Sequence, residues 1–213
     1  MTRAGWENPP VTGPLPRIRR ATPADGAACA AIYAPYVLGT AITFEVEPPD
    51  AAEMGRRIEA AQRAHDWLVA EVDGEDGPQV VGYAYGGRVR ERAAYAWTAE
   101  VSIYLAPEAT GQGLARPLYR ALFARLEELG YRTLVAGYTV PNEPSERLHR
   151  ALGFEPVGTY RRVGVKPGAW QDVAWMQKHL GVDLEGGEFE PDRARRWQLT
   201  LHPHRLGGRG RGA

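Results

Sequence analysis

Val101-Ser102-Ile103-Tyr104-Leu105-Ala106-Pro107-Glu108-Ala109-Thr110-Gly111-Gln112-Gly113-Leu114-Ala115 decides the reading of this chain. Its first third is rich in β-branched and aromatic residues and reads as a strand. Its last six residues form a glycine-rich turn at the mouth of an amphipathic helix. In that helix Leu118, Leu122, Leu126 and Leu129 recur at three- and four-residue steps, which predicts a buried stripe. Small residues let a backbone approach a ligand closely, and the free N–H groups at a helix start favour an anion. A strand, a glycine turn and a helix in this order therefore predict a phosphate or pyrophosphate cradle. The turn is not a P-loop, because no Lys-Ser/Thr follows the second glycine, and it lacks the third small position of a dinucleotide fingerprint.

Outward from this stretch, the chain reads as alternating short strands and helices. Upstream come a strand near Leu15–Arg20 and a helix opening at Thr22-Pro23-Ala24-Asp25 and running through Cys29, Ile32 and Tyr33. A loop with Thr43-Phe44-Glu45 follows, then a helix over about 50–64, and strands over 67–72 and 80–85 joined by the turn Asp73-Gly74-Glu75-Asp76-Gly77. An arginine-bearing link (Arg88, Arg90, Arg92) leads into a strand expected over 95–105. Downstream, 131–140 reads as a strand, 144–152 as a short helix stopped by Gly153, and 154–163 and 170–179 as closing strands. Residues 1–16 read as a flexible lead-in, 17–180 as one folded domain, and 181–213 as a largely mobile appendage, acidic and then arginine-rich.

Composition narrows the function classes. The chain has 213 residues, 44% hydrophobic and 24% charged, with 26 basic against 26 acidic side chains. Such a balance argues against a nucleic-acid partner, and no apolar run approaches the ~20 residues of a bilayer span. One cysteine, Cys29, excludes an internal disulfide and any multi-cysteine metal site. The expectation is a cytoplasmic protein without membrane or metal.

The turn Thr110-Gly111-Gln112-Gly113-Leu114-Ala115 resembles motif A of the GNAT acyltransferases, Arg/Gln-x-x-Gly-x-Gly/Ala, with Thr110 where the family has Arg or Gln. At the expected distance, Asn142, Ser145, His149 and Gly153-Phe154 match a second GNAT pattern, with Ser for Ala and His for Tyr. Ile18-Arg19-Arg20-Ala21-Thr22, Thr43-Phe44, Trp67 to Gly74, Tyr95-x-Trp97-Thr98-Ala99-Glu100, Pro141-Asn142-x-Pro144-Ser145 and Trp170-x-Asp172-Val173 narrow the resemblance to the phosphinothricin/methionine sulfoximine N-acetyltransferases, over about 17–178.

The resemblance implies an α/β GNAT fold with a mixed, mainly antiparallel sheet and helices on both faces. It implies acetyl-CoA as co-substrate, held by Ile103, Tyr104, Leu105, Gly111, Gln112, Gly113, Leu114, Ala115, Arg116, Asn142 and Ser145. Glu100 would be the base that frees the acceptor amine. On its strand it alternates onto one face with Thr98, Ser102 and Tyr104, away from Ala99 and Val101. His149 would give a proton to the departing thiolate or partner Glu100; on residues alone it reads better as a partly exposed helix histidine. Arg90 and Arg92 would hold the acceptor's acidic groups, or form a solvated loop, and Phe44 and Tyr95 would wall the pocket or simply pack. The partner implied is a small amine, and a homodimer is implied by family likeness. Two rivals remain on the same residues: acetylation of protein N-termini or another small amine, and a non-catalytic acyl-CoA sensor.

Overall fold

The computed structural model describes residues 16–181, apart from Asp76 and Pro167; the expectations for the lead-in and for the appendage beyond Gly181 lie outside the described residues. One sheet of seven strands organises the chain, in the order β1-β2-β3-β4-β5-β7-β6. β1 (Arg17–Arg20), β2 (Trp67–Gly74), β3 (Gly77–Arg88) and β4 (Thr98–Leu105) pair antiparallel. So do β5 (Thr133–Val140), β7 (Trp170–His179) and β6 (Glu155–Val165). The two halves meet at the parallel pair β4–β5, which runs only from Thr98, Ala99 and Glu100 to Thr133, Leu134 and Val135. Beyond Glu100 the two strands part, and the sheet forks.

Strands β2 and β3 are apolar on both faces along their central stretch, because both faces are covered by helices, whereas β4 turns Thr98, Glu100 and Ser102 to the α1–α2 side. Leu68, Ala70, Ala99, Val101, Leu134 and Ala136 pack under α3 (Ala115–Glu128) and α4 (Glu143–Ala151). Trp67, Val69, Val81 and Tyr83 pack under α1 (Gly26–Gly39) and α2 (Ala51–Ala61). Helices α1 and α2 approach so closely that a Cβ on Gly26 would sit 2.3 Å from the Ala51 carbonyl oxygen, which is why glycine stands there. The fully buried Asp66 carboxylate ties the layers, accepting from Arg20 at 2.8 Å and from Arg125 on α3 at 3.0 Å. No helix among the described residues is long and apolar enough to cross a membrane.

Three expectations shift. The helix expected from Thr22 opens as a short 3-10 turn (Pro23–Asp25), whose Asp25 carboxylate accepts from the Thr22 N–H at 2.7 Å, and α1 follows. The strand expected over 95–105 starts only at Thr98. β3 ends at Arg88, opposite Ala99, so residues further upstream have no antiparallel partner. They satisfy their backbone locally instead, with Tyr95 N–H to Arg92 O and Ala96 N–H to Ala93 O, both 3.0 Å. Finally, Leu118, Leu122 and Leu126 are buried but Leu129 is 38% exposed, because α3 ends at Glu128 and Gly130, at φ 86°, turns the chain away.

Candidate active site

The glycine turn lies between the short 3-10 turn after β4 and the start of α3. Gly111 and Gly113 have φ of 75° and 79°, a left-handed region that costs a side-chain-bearing residue about 1–2 kcal/mol. Among the described residues, none of the amides of residues 111–115 donates to a backbone carbonyl. The polar side chains fold back onto the turn: Thr110 Oγ1 donates to Pro107 O and Gln112 Nε2 to Glu108 O, each at 2.7 Å. Leu114, 3% exposed, anchors the turn in the core. A row of unpaired amides at the start of a 14-residue helix is a receptor for a phosphate group. The site therefore fits the pyrophosphate of a coenzyme A thioester.

Along β4, Ile103 packs toward α3, and Tyr104 stands edge-on to Tyr33 and Tyr36, at 4.8 and 5.3 Å. The Leu105 carbonyl accepts from the Tyr36 hydroxyl at 2.6 Å. Arg116 is half-buried in the first turn of α3. Across the fork, Asn142 caps α4 by accepting from the Ser145 N–H at 3.1 Å. These residues flank the gap between β4 and β5 from both sides.

Glu100 stands at the last paired position before the fork. Its neighbours Ala99 and Val101 belong to the α3 side, so its carboxylate rises on the α1–α2 side with Ser102 and Tyr85. Burial pushes its proton affinity above the usual carboxylate range, and the nearby Arg90 charge only partly counters this. His149 lies on the other face. It is 4% exposed, not a partly exposed helix residue, and packs against Tyr119, Tyr138 and Phe154 with ring centroids 5.7, 6.0 and 5.1 Å away. Burial lowers its pKa, so the ring stays neutral near pH 7, outweighing the stabilising bond to the Ser145 carbonyl. That carbonyl, 2.8 Å from Nδ1, can only accept, which places the hydrogen on Nδ1. Nε2 then carries a lone pair, buried and without a hydrogen-bond partner among the described residues. Glu100 and His149 are not hydrogen-bonded to each other; they approach the fork from opposite faces.

On the acceptor side, the residues named from sequence are brought less closely together. Arg90 and Arg92 sit on an exposed link, and Arg90 donates to the Val89 carbonyl at 2.8 Å. Tyr95 is 40% and Phe44 41% exposed. Phe44 lies over β6, where a Cβ on Gly164 would meet its ring at 2.3 Å. Sequence reasoning missed the polar group beside them: Glu45, held by Arg57 at 2.7 and 3.1 Å and by the Tyr33 hydroxyl at 3.1 Å. It also missed Tyr85, whose hydroxyl bonds to Ser102, and Tyr119, whose fully buried phenol holds its proton more tightly than an exposed one. These residues come from separate segments and carry no joint spacing signal.

A forked mixed sheet with an amide cradle at the start of α3 defines an acyl-CoA-using transferase. The chain matches the acetyltransferase (GNAT) domain over residues 18–175, and it belongs to that family. It is an N-acetyltransferase by fold and by homology. It is 40% identical over 161 residues to a phosphinothricin N-acetyltransferase of Streptomyces viridochromogenes, covering 76% of this chain and 86% of the relative. It is 37% identical over 164 residues to an L-methionine sulfoximine/L-methionine sulfone acetyltransferase of Salmonella typhimurium, covering 76% and 94%. Among solved structures, a phosphinothricin acetyltransferase of Sinorhizobium meliloti in complex with AcCoA superposes with a TM-score of 0.73 at 40% identity, covering 78% of this chain and 89% of that one.

Proposed function

We propose that this enzyme transfers acetyl from acetyl-CoA to the α-amine of a small amino-acid analogue of the phosphinothricin or methionine sulfoximine type. The observation that carries this reading is a half-buried carboxylate of raised proton affinity, Glu100, at the fork on the strand that leads into the turn of residues 111–115. The named activities of the relatives support the acceptor class.

The amides of residues 111–115 and the start of α3 hold the pyrophosphate, and Ile103 to Leu105 with Asn142 and Ser145 line the path of the pantetheine arm. When bound, acetyl-CoA supplies an electrophilic thioester carbonyl. An α-ammonium has no lone pair, so Glu100 takes a proton from it, and the freed amine attacks directly. Such proton removal contributes about 10²–10⁴-fold. A second proton leaves nitrogen as the amide forms, and the departing thiolate needs one. His149 presents an Nε2 lone pair at the opposite face, so it relays by taking a proton before giving one. Arg90 and Arg92 supply guanidinium forks suited to the acceptor's acidic oxygens, with Phe44 and Tyr95 beside its aliphatic part. The test is thiol release from acetyl-CoA with phosphinothricin, methionine sulfoximine, free amino acids and N-terminal peptides. Turnover of peptides with free amino acids inert overturns the acceptor assignment.

The same reading includes a homodimer. Val157, Tyr160, Val163 and Val165 on edge strand β6, with Trp170 on β7, are 49% to 64% exposed and suit a second copy. Light scattering after size exclusion tests it, and a monomeric mass overturns it.

A further inference from the structure

On the face that carries Glu100, a cavity of about 380 Å³ lies between α2 and strands β2 and β3. One wall is aromatic, with Trp67 stacked on Tyr85 at 4.3 Å and on Tyr83 at 5.1 Å. The facing wall brings Arg57 from α2. Its guanidinium spends two donors on Glu45 and one, at 2.9 Å, on Glu53, which leaves two of its five N–H groups for a ligand. Glu45 is the one carboxylate in the lining among the described residues, against the guanidinium groups of Arg57, Arg63 and Arg88; Arg57 is shared between Glu45 and Glu53, and Arg63 pairs with Glu59 at 3.7 Å. An aromatic wall and a basic end suit an apolar stem that terminates in an anionic oxygen group.

The cavity's other end is Gly86 and Gly87. Gly87 is the Cα partner of Glu100 across the β3–β4 ladder, so both positions project to one face. A Cβ on Gly87 would meet nothing nearer than the Glu100 carbonyl oxygen at 3.9 Å. Gly87 thus adds no side chain to the face onto which Glu100 projects, and it lines the cavity although Glu100 itself does not. β3 and β2 lie one and two strand spacings from β4, ~5–10 Å, the reach of an extended side chain whose amine sits at Glu100. None of Phe44, Arg90, Arg92 and Tyr95 lines this cavity.

We propose that the cavity beneath α2 is a distal acceptor subsite for a side chain ending in a carboxylate or similar oxyanion, with the bare backbone of Gly87 as the passage that sets its reach. The assignment rests on the N-acetyltransferase reading above and adds to it where the far end of the acceptor lies. The probes are aspartate, glutamate and longer homologues, each compared with its side-chain amide, in a steady-state thiol-release assay at saturating acetyl-CoA. In the wild type, kcat/KM rises with chain length, and the longest acid exceeds its amide by about tenfold or more, the worth of one charge-assisted hydrogen bond. Gly87→Val closes the passage at an ordinary strand position, and Ala60→Phe, from an exposed site on α2, fills the cavity. Each should cut the long-acid to aspartate ratio at least tenfold, mainly through KM. Loss of that ratio in either variant supports the subsite. An unchanged ranking in both, with normal turnover of amino acids, overturns the subsite and leaves the N-acetyltransferase reading standing. Failure of the wild type to acetylate any amino acid overturns both.

Discussion

The proposed cradle and the proposed acceptor side of this enzyme share strand β4 and the turn that follows it, yet they are built in opposite ways. The cradle is six consecutive residues whose working groups are backbone amides, and its two side chains able to hydrogen-bond are turned inward. The acceptor side proposed above draws instead on side chains from separate segments: Phe44 in the loop after α1, Arg57 on α2, Tyr85 and Gly87 on β3, Arg90, Arg92 and Tyr95 on the following link, and Glu100 on β4. A ligand shared by a whole family is met by backbone geometry, which a short motif encodes. An acceptor that differs from enzyme to enzyme is met by side chains, which only the tertiary fold collects. This contrast predicts separable phenotypes: cradle changes should act on acetyl-CoA alone, and acceptor-side changes on the amine alone.

The sharpest way to break the contrast is at Glu100, where both halves meet. Glu100→Gln keeps size and removes the base, so kcat/KM for the amine should fall about 10²–10⁴-fold with KM for acetyl-CoA nearly unchanged. In the wild type, activity should be lost as pH falls through a pKa raised above the usual carboxylate range, and Gln should abolish that limb. The sign for stability is opposite. A carboxylate whose folded pKa is raised stabilises the fold only while protonated, and that contribution disappears as pH rises through the raised pKa. The Gln variant should therefore melt at or above the wild-type temperature at pH 7–8, as scanning calorimetry would show. A less active and less stable variant would mean a structural Glu100.

Next in size are one change on each side. Gly113→Val puts a β-branched residue at φ 79°, and should raise KM for acetyl-CoA at least tenfold while leaving the preference among amines intact. Arg92→Ala should do the reverse, costing about 10- to 150-fold in kcat/KM for an acidic acceptor and little for benzylamine. Equal losses for both amines would mark Arg92 as structural, and a changed amine ranking in Gly113→Val would join the halves that the geometry separates.

How much was legible in the sequence follows the same division. The glycine turn, the helices and the hairpin of β2 and β3 are local or periodic, and the residue patterns locate them; the mixed sheet is what the family resemblance implies. Leu129 misleads because periodicity cannot see that Gly130 ends the helix; Tyr95 misleads because strand propensity cannot see that β3 stops at Arg88. His149 was found by its place in a motif, but its setting was not. Only the packed rings of Tyr119, Tyr138 and Phe154 and the bond to the Ser145 carbonyl show that it is neutral with a free Nε2. The Glu45–Arg57 pair is invisible in sequence because an ion pair twelve residues apart, between loop and helix, has no characteristic spacing.

The smallest expected effect probes whether the cradle depends on backbone alone. Thr110 stands where the family has Arg or Gln, and its hydroxyl is bonded to the Pro107 carbonyl at 2.7 Å instead of pointing outward. Thr110→Arg would trade that neutral bond, about 0.5–1.5 kcal/mol, for a guanidinium at an exposed position beside the bound pyrophosphate. Exposed ion pairs contribute only ~0.2–1 kcal/mol because water and salt screen them. The two terms nearly cancel in stability, so the melting temperature should move by little. The new charge acts only when phosphate is present, so KM for acetyl-CoA should fall about 1.5- to 5-fold, and the gain should shrink as salt is raised. A gain above tenfold that persists at high salt would show that side chains carry the cradle after all, and that this chain binds its co-substrate with a defect that its backbone does not repair.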